Sequence, residues 1–173
     1  GKTTEKEILS MYEGKTSSYS FEGPLHLGTI LAGVDSDEIL KKYSRYAMPL
    51  GVAFQIRDDI LGIFGNEKKI GKPVGSDVIE GKQTLLLLKA KEMADSAQKK
   101  VLNDCLGKKD LKKSELEEFR RVIKETGSLE YCQKLSEKMV AESLQALEEI
   151  DIKNEEAKVF FKGLAEYMIR REK

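Results

Sequence analysis

Apolar residues recur at helical spacing along almost the whole chain, and this pattern constrains the fold more than any other feature. Few segments show the alternation with period two that a strand needs, and runs of β-branched residues are scarce. Helix-start clusters and glycine stops separate the periodic segments. The sequence therefore predicts an all-α protein. Its 173 residues suffice for one core, so we expect a single domain over residues 1–173.

The longest periodic segment begins at the acidic cluster 35–38 and ends between Gly62 and Gly65. Pro49 lies inside it. Its apolar positions are Ile39, Leu40, Tyr43, Tyr46, Ala47, Leu50, Phe54 and Leu61. This spacing predicts one long helix with a continuous apolar side.

Six further segments predict helices, and two of these begin at the Ser114-x-x-Glu117 capping box and, after a stop at Gly127, at Ser128. The first is expected to begin at a Thr4 cap and to run to Lys15 or a little beyond, and Gly23-Pro24 is expected to break or kink the chain after it. The second, rich in small and apolar residues, covers 25–32 and is expected to be buried on most sides. The third runs from 83 to about 106. The last follows an Asn154 cap. Its expected apolar face consists of Val159, Phe160, Leu164, Tyr167 and Met168.

Composition limits the classes of partner. Lys plus Arg and Asp plus Glu both number 30, so no net charge attracts nucleic acid or an acidic membrane surface. The sequence shows no signal peptide and no apolar run long enough to cross a bilayer.

Cys105 and Cys132 lack metal-ligand spacing, which indicates free thiols and a reducing, cytoplasmic location. His26, between apolar neighbours, is expected to be a satisfied structural histidine rather than a ligand.

Gln55, Asp58 and Asp59 are the strongest candidates for chemistry. Their spacing places them on one side of the long helix, between apolar residues. Adjacent carboxylates in such surroundings repel each other and lose hydration, unless a hard cation neutralises them. Oxygen ligands in an incomplete protein cage favour Mg²⁺, which takes its other ligands from water and phosphate. The alternative is a solvated pair of surface carboxylates beside Arg57.

The segment after the long helix carries Lys72, Asp77 and Lys82 among several glycines. Lysine acts as a point charge toward phosphate, and glycine lets backbone N–H groups approach an anion. Beside metal-binding carboxylates, such a segment predicts a diphosphate site. The alternative for the lysines alone is an ordinary solvated linker.

The run FQIRDDILGIFGNEKKIGKPVGSDVIEGKQTLLLLKA resembles the second aspartate-rich region of trans-polyprenyl diphosphate synthases, especially short-chain types such as geranylgeranyl or farnesyl diphosphate synthases. Three other pieces follow the family's order, namely GKT with Lys15 and Thr16, then LHLGTILAG, and finally AEYMIRREK. The resemblance covers essentially the whole chain. It implies the C-terminal helices of an isoprenoid-synthase-type bundle.

The resemblance also implies the reaction and its ligands. The family condenses isopentenyl diphosphate with an allylic diphosphate. Asp58 and Asp59 match its Mg²⁺ ligands, and Asp77 matches an aspartate in the metal's second shell. Lys15 and Lys72 match lysines that contact the allylic diphosphate.

Other matched positions concern the reacting carbons and the second substrate. Thr16 and Gln55 match polar residues that flank the allylic cation, and Phe54 would wall its apolar cavity. Lys82 matches a lysine with an ionic role. Arg171 and Lys173 lie in the basic tail that the family places near isopentenyl diphosphate.

Two departures from the family pattern leave alternatives open. Gly62 stands where the pattern has a third aspartate, and the first aspartate-rich motif is absent. The chain is therefore expected to be the C-terminal portion of a synthase, inactive alone, whose full-length form is a homodimer. A non-catalytic regulatory or structural subunit, a helical interaction module and a terpene-cyclase relative are the alternatives. Product chain length and donor preference do not follow from this sequence.

Overall fold

The computed structural model describes residues 3–34, 36–65 and 73–171, and it shows helices and connecting turns but no strand within those ranges. The prediction of an all-α fold is confirmed. The helices are α1 Glu5–Tyr12, a π-helix Glu13–Glu22, α2 Gly23–Leu31, α3 Asp37–Phe64, α4 Ser76–Ile79, α5 Leu85–Met93, α6 Ser96–Cys105, α7 Lys113–Glu125, α8 Ser128–Glu148 and α9 Glu155–Arg170.

The chain divides into two compact units. Among the described residues, the first consists of 3–8, 56–65 and 73–134, and the second of 9–34, 36–55 and 135–171. Helix α3 contributes to both units, because the division falls between Gln55 and Ile56. The expectation of a single domain stays a prediction.

The first unit has a core of buried aliphatic side chains and Phe119. Residues Leu85–Leu87 of α5 and three residues of α7 are almost completely buried. Ser128, at the start of α8, donates a hydrogen bond of 2.5 Å to the backbone oxygen of Leu86. Burying this apolar surface is the main source of stability for the unit.

The helix expected over residues 83–106 is in fact two helices. Thr84 caps α5, since its hydroxyl accepts from the N–H of Leu87 at 3.2 Å. Asp95 then caps α6, because its carboxylate accepts from the N–H of Gln98 at 2.8 Å and the Gln98 side chain accepts from the Asp95 N–H. This reciprocal cap starts a new helix and ends the old one before it.

The second unit is built around Tyr46. Its hydroxyl donates to the backbone oxygen of Phe161 at 2.8 Å, and its ring meets the Phe161 ring edge-on at 5.5 Å. Burial raises the pKa of this phenol. The buried cluster comprises Tyr46, Ala47, Leu50, Ala53, Val140, Ala146, Leu147, Ile150, Ala165 and Met168.

The expectation for the faces of α2 was wrong, and the expectation for α9 was correct only in part. Helix α2 has no buried residue, and Leu31 is 78% exposed within the described chain. Of the face expected for α9, Met168 is buried and Leu164 packs against the core cluster, whereas Val159, Phe160 and Tyr167 are exposed. Both helices carry apolar residues on more than one side, so periodicity alone leaves open which side packs.

The start of the chain confirms the expected cap and corrects the helix that follows. Thr4 accepts from the N–H of Glu7 at 3.3 Å, and the Glu7 carboxylate accepts from the N–H of Thr4 at 2.7 Å. Helix α1 ends at Tyr12, and the π-helix continues it through Lys15 to Glu22. Gly23 and Pro24 do not break the chain there, since Pro24 occupies the first turn of α2.

Candidate active site

The site residues expected from the sequence lie in both units. The first unit contains Asp58 and Asp59 on α3, Asp77 on α4, and Lys82 after α4. The second contains the remaining described candidates, which are Lys15, Thr16, Phe54, Gln55 and Arg171. Lys72 and Lys173 lie outside the described residues, so their expected roles stay predictions.

Asp58 and Asp59 occupy consecutive positions near the C-terminal end of α3, between the buried side chains of Ile56 and Ile60. Asp59 is only 5% exposed, whereas Asp58 is half-buried. An acidic side chain this deeply placed needs compensation, because removing a carboxylate from water costs several kcal/mol. Both carboxylates already take part in interactions within the protein.

This pair fits a hard divalent ion that is bound only partly by the protein. Over residues 3–34, 36–65 and 73–171, no three His, Cys, Asp or Glu side chains come together as a metal-binding group. Two carboxylates are nevertheless the donor set that Mg²⁺ uses when water and substrate phosphate complete its coordination. Asp58 and Asp59 would therefore hold the ion together with its substrate rather than in a closed cage.

Asp77 lies against Gly62 and is bound by Lys82. The Lys82 Nζ is 2.5 Å from Asp77 Oδ1, and Asp77 is 3% exposed. A Cβ added to Gly62 would lie 2.3 Å from Asp77 Oδ2. The N–H of Gly75 also donates to the Gly62 oxygen at 2.9 Å. A side chain at position 62 would therefore displace the Asp77 carboxylate from its present position.

The ion pair sets the charge state of Lys82. The hydrogen bond to Asp77, followed by one to Glu80, raises the pKa of Lys82 above its usual range, although partial burial opposes this. Lys82 is therefore a firmly charged ammonium that is still half-exposed. Sequence reasoning expected an ionic role for Lys82 but did not identify Asp77 as its partner.

In the second unit, the π-helix brings Thr16 to α3. The Thr16 hydroxyl donates to the Gln55 side-chain oxygen at 2.8 Å, and Thr16 is buried. Lys15, the neighbouring residue, is exposed. The structure thus pairs two residues that the sequence placed 39 positions apart.

Arg171 lies over the ring of Phe54, with its guanidinium carbon 4.1 Å from the ring centroid. Arg171 is 8% exposed, and the Phe21 ring lies 5.6 Å from that of Phe54. A desolvated cation over an aromatic face is stabilised by the ring quadrupole. The expected place of Arg171 near isopentenyl diphosphate stays a prediction, and its contact with Phe54 was not anticipated.

Ser17 and Gly51 were also missed. Ser17 donates to the Met48 backbone oxygen at 2.8 Å, and Gly51 lies directly beneath Ser17. The available signal was a glycine inside an apolar helix, which usually has a packing reason.

The remaining polar candidates have structural roles. His26 Nε2 lies 3.0 Å from the Leu40 oxygen and 3.0 Å from the Ser44 hydroxyl, which confirms a satisfied histidine. Cys105 and Cys132 are free and buried. Burial raises the pKa of the Cys132 thiol to about 12, and the nearby Asp59 carboxylate adds to this shift.

None of the described helices has both the length and the apolar character required to span a bilayer.

Comparison with known proteins identifies the family. The model of the family described as Polyprenyl synthetase matches residues 1–123. The chain is 40% identical over 170 residues to a geranylgeranyl diphosphate synthase of Saccharolobus solfataricus, covering 98% of this chain and 50% of the relative. A Methanosarcina mazei protein of the same name is 35% identical over 171 residues, with 99% and 50% covered.

Solved structures agree. A geranylgeranyl pyrophosphate synthase from Corynebacterium glutamicum, crystallised with isoprenyl diphosphate and magnesium, superposes with a TM-score of 0.92 at 29% identity, covering 98% of this chain and 48% of that one. A geranylgeranyl pyrophosphate synthetase from Pyrococcus horikoshii gives 0.84 at 35% identity, covering 98% and 50%.

The chain spans about half the length of the curated relatives it matches. The family match covers well over half of the chain, and the described helices superpose on polyprenyl synthases. The chain therefore belongs to the polyprenyl synthetase family and has the all-α isoprenoid-synthase fold.

Proposed function

We propose that this chain supplies a metal- and diphosphate-binding part of a Mg²⁺-dependent prenyltransferase that extends an allylic diphosphate with isopentenyl diphosphate. The observation that carries the proposal is the Asp58–Asp59 pair on α3, with Asp59 buried, in a member of the polyprenyl synthetase family. A purely regulatory subunit is not favoured, because the matched relatives carry the names of synthases.

The proposed roles follow the family pattern. Asp58 and Asp59 hold the magnesium, and Lys15 and Lys72 contact the allylic diphosphate. Asp77 acts in the second shell of the metal. The residues proposed to bind substrate in addition are Phe54, Lys82, Arg171 and Lys173. The firmly charged state of Lys82 supports its part in this assignment, because an anionic substrate requires fixed positive charge.

In the proposed reaction, the C–O bond of the allylic diphosphate breaks and its electron pair leaves with diphosphate. The allylic carbon then bonds to the terminal alkene carbon of isopentenyl diphosphate, and a proton passes to the released diphosphate. Magnesium, when bound, neutralises charge that builds on the leaving group. Thr16 and Gln55 orient each other through their 2.8 Å hydrogen bond and present oxygen dipoles to the allylic cation.

The test measures prenyl transfer by the full-length gene product, with Mg²⁺, isopentenyl diphosphate and a series of allylic donors. The Asp58→Asn, Asp59→Asn double variant should lose activity by at least roughly 10³-fold, since removal of the metal leaves the leaving group uncompensated. It should also lose Mg²⁺-dependent binding of inorganic pyrophosphate in calorimetry, while keeping its helical circular dichroism.

The matched control is Asp104→Asn with Asp110→Asn, two exposed aspartates of the same unit. This control should retain both activity and pyrophosphate binding. Wild-type protein that folds but turns over no donor would contradict the proposal. Homodimerisation of the full-length protein and its cytoplasmic location stay predictions.

A further inference from the structure

The π-helix and α3 approach most closely where Ser17 faces Gly51. A Cβ added to Gly51 would lie 2.4 Å from the Ser17 Cα, 2.5 Å from its Oγ and 2.7 Å from its Cβ. Real Cβ contacts essentially never fall below 3.0 Å. The nearest atom belongs to the backbone, so rotation of a side chain cannot relieve the contact. Only glycine at position 51 permits this separation of the two helices.

Three points on the same side of α3 face the π-helix. The Met48 oxygen accepts from the Ser17 hydroxyl at 2.8 Å, Gly51 lies under Ser17, and the Gln55 side chain accepts from Thr16. Positions 48, 51 and 55 follow one another at spacings of three and four, which is one helix face. Ser17 and Thr16 are adjacent in the chain, so the Gly51 contact lies one residue from the Thr16–Gln55 pair.

The consequence for that pair follows from distance. To bring an added Cβ from 2.4 Å to ordinary van der Waals contact, the two backbones must separate by roughly 1 Å. The Thr16–Gln55 bond is 2.8 Å long. The same displacement would take it beyond the range of a hydroxyl hydrogen bond.

We propose that Gly51 is a positioning residue for prenyl transfer, which holds the π-helix close enough to α3 for Thr16 to engage Gln55. This inference rests on the proposed function and deepens it. In this proposal Gly51, which has no side chain, sets the relative position of Thr16 and Gln55, the two polar residues that flank the allylic carbons. The competing explanation is that Gly51 only permits dense packing.

The test compares Gly51→Ala in the full-length protein with two glycine controls. Gly14 lies in the same π-helix and Gly28 in α2, and an added Cβ at either meets no atom within 4 Å. We expect Gly51→Ala to lower kcat by roughly 10- to 100-fold, because displacement of about 1 Å misplaces polar groups at the reacting carbons. The KM for the allylic donor should change by less than about three-fold. Gly14→Ala and Gly28→Ala should each stay within about three-fold of wild type in kcat.

A double-mutant cycle separates positioning from packing. In a Gln55→Leu background the hydrogen bond is already absent, so adding Gly51→Ala should lower kcat by less than about three-fold more. If Gly51 served packing alone, the fold-losses in kcat of Gly51→Ala and Gln55→Leu would multiply in the double variant. That result would overturn the inference. A Gly51→Ala protein with wild-type kcat would overturn it as well.

If Gly51→Ala does not fold, Ser17→Ala takes its place. This variant removes the hydroxyl that anchors the π-helix to Met48 without adding an atom. It should lower kcat by roughly three- to ten-fold, and the loss should again disappear in the Gln55→Leu background. Wild-type protein without turnover overturns the proposed function and this inference together. An active wild-type protein whose variants show kcat losses that multiply in the Gln55→Leu background overturns this inference alone.

Discussion

Gly62→Ala should destabilise the protein, although alanine is the better helix former. The added Cβ would lie 2.3 Å from Asp77 Oδ2, so the buried carboxylate has to move. Moving it breaks the bond of 2.5 Å to Lys82. The substitution therefore tests whether Asp77, Gly62 and Lys82 form one unit.

The magnitude follows from three contributions. Loss of a hydrogen bond between charged groups costs about 1.5–3 kcal/mol. Crowding a packed site costs about 1–3 kcal/mol, and alanine returns up to about 1 kcal/mol of helix propensity. The free energy of unfolding should fall by about 2–4 kcal/mol, in the lower part of the combined range, because Lys82 is half-exposed and regains water.

The assay is denaturant-induced unfolding of the full-length protein, followed by far-UV circular dichroism. The matched control is Gly163→Ala, inside α9, where an added Cβ meets no atom within 4 Å. The control should be neutral or more stable by up to about 1 kcal/mol. In an Asp77→Ala background the obstruction is absent, so Gly62→Ala should become neutral or slightly stabilising. An equal loss in both backgrounds would refute the argument.

Two further predictions concern other ionisable groups of the first unit. Burial raises the pKa of both cysteine thiols, to about 12 for Cys132. At pH 8, Cys132 should therefore react with a disulfide reagent on the order of 10³-fold more slowly in the native protein than in the denatured protein. Equal rates in the two states would show that the Cys132 thiol is accessible in the native protein. Burial opposes the pKa shift of Glu5, but hydrogen bonds from Lys89 and Tyr131 outweigh it and lower that pKa. The stabilisation of the folded state by ionised Glu5 is therefore complete above about pH 4.5, and it is lost as the pH falls through the lowered pKa of Glu5. Glu5→Gln should remove about 0.5–1 kcal/mol of unfolding free energy at pH 7 and progressively less as the pH falls below about 4.5, and a loss that does not change with pH would contradict this assignment.

Local features of the sequence predict much of the helical framework. Helix α3 was expected from an acidic start near 35–38, a continuous apolar side and an end near Gly62, and it spans Asp37–Phe64. The caps at Thr4 and Asn154 were also identified, because a capping side chain bonds to backbone only two or three residues away. Such signals require no knowledge of distant residues.

The candidate residues were located in the same local way. Adjacent aspartates at Asp58 and Asp59, glycines around Lys72 and the Lys15–Thr16 pair could be read in order along the chain and matched to a family. Their individual roles depend on neighbours that no spacing reveals. Lys82 was expected to face substrate, and the structure shows that it also binds Asp77.

Several features could be known only from the tertiary structure, because they depend on contacts between segments that are far apart in sequence. The exposed face of α2, the packed side of α9 and the cation–π contact of Arg171 with Phe54 depend on which surfaces meet. The close approach of Gly51 to Ser17 explains a glycine that the sequence shows only as an interruption in an apolar helix. The close approach of Gly62 to Asp77 gives a structural reason for a glycine that the sequence shows only as a departure from the family pattern. The sequence by itself determined the all-α class, most helix ends and the family, because these depend on residues within a few turns of one another. The tertiary structure decided the partners of each site residue, since those are set by the packing of helices against one another.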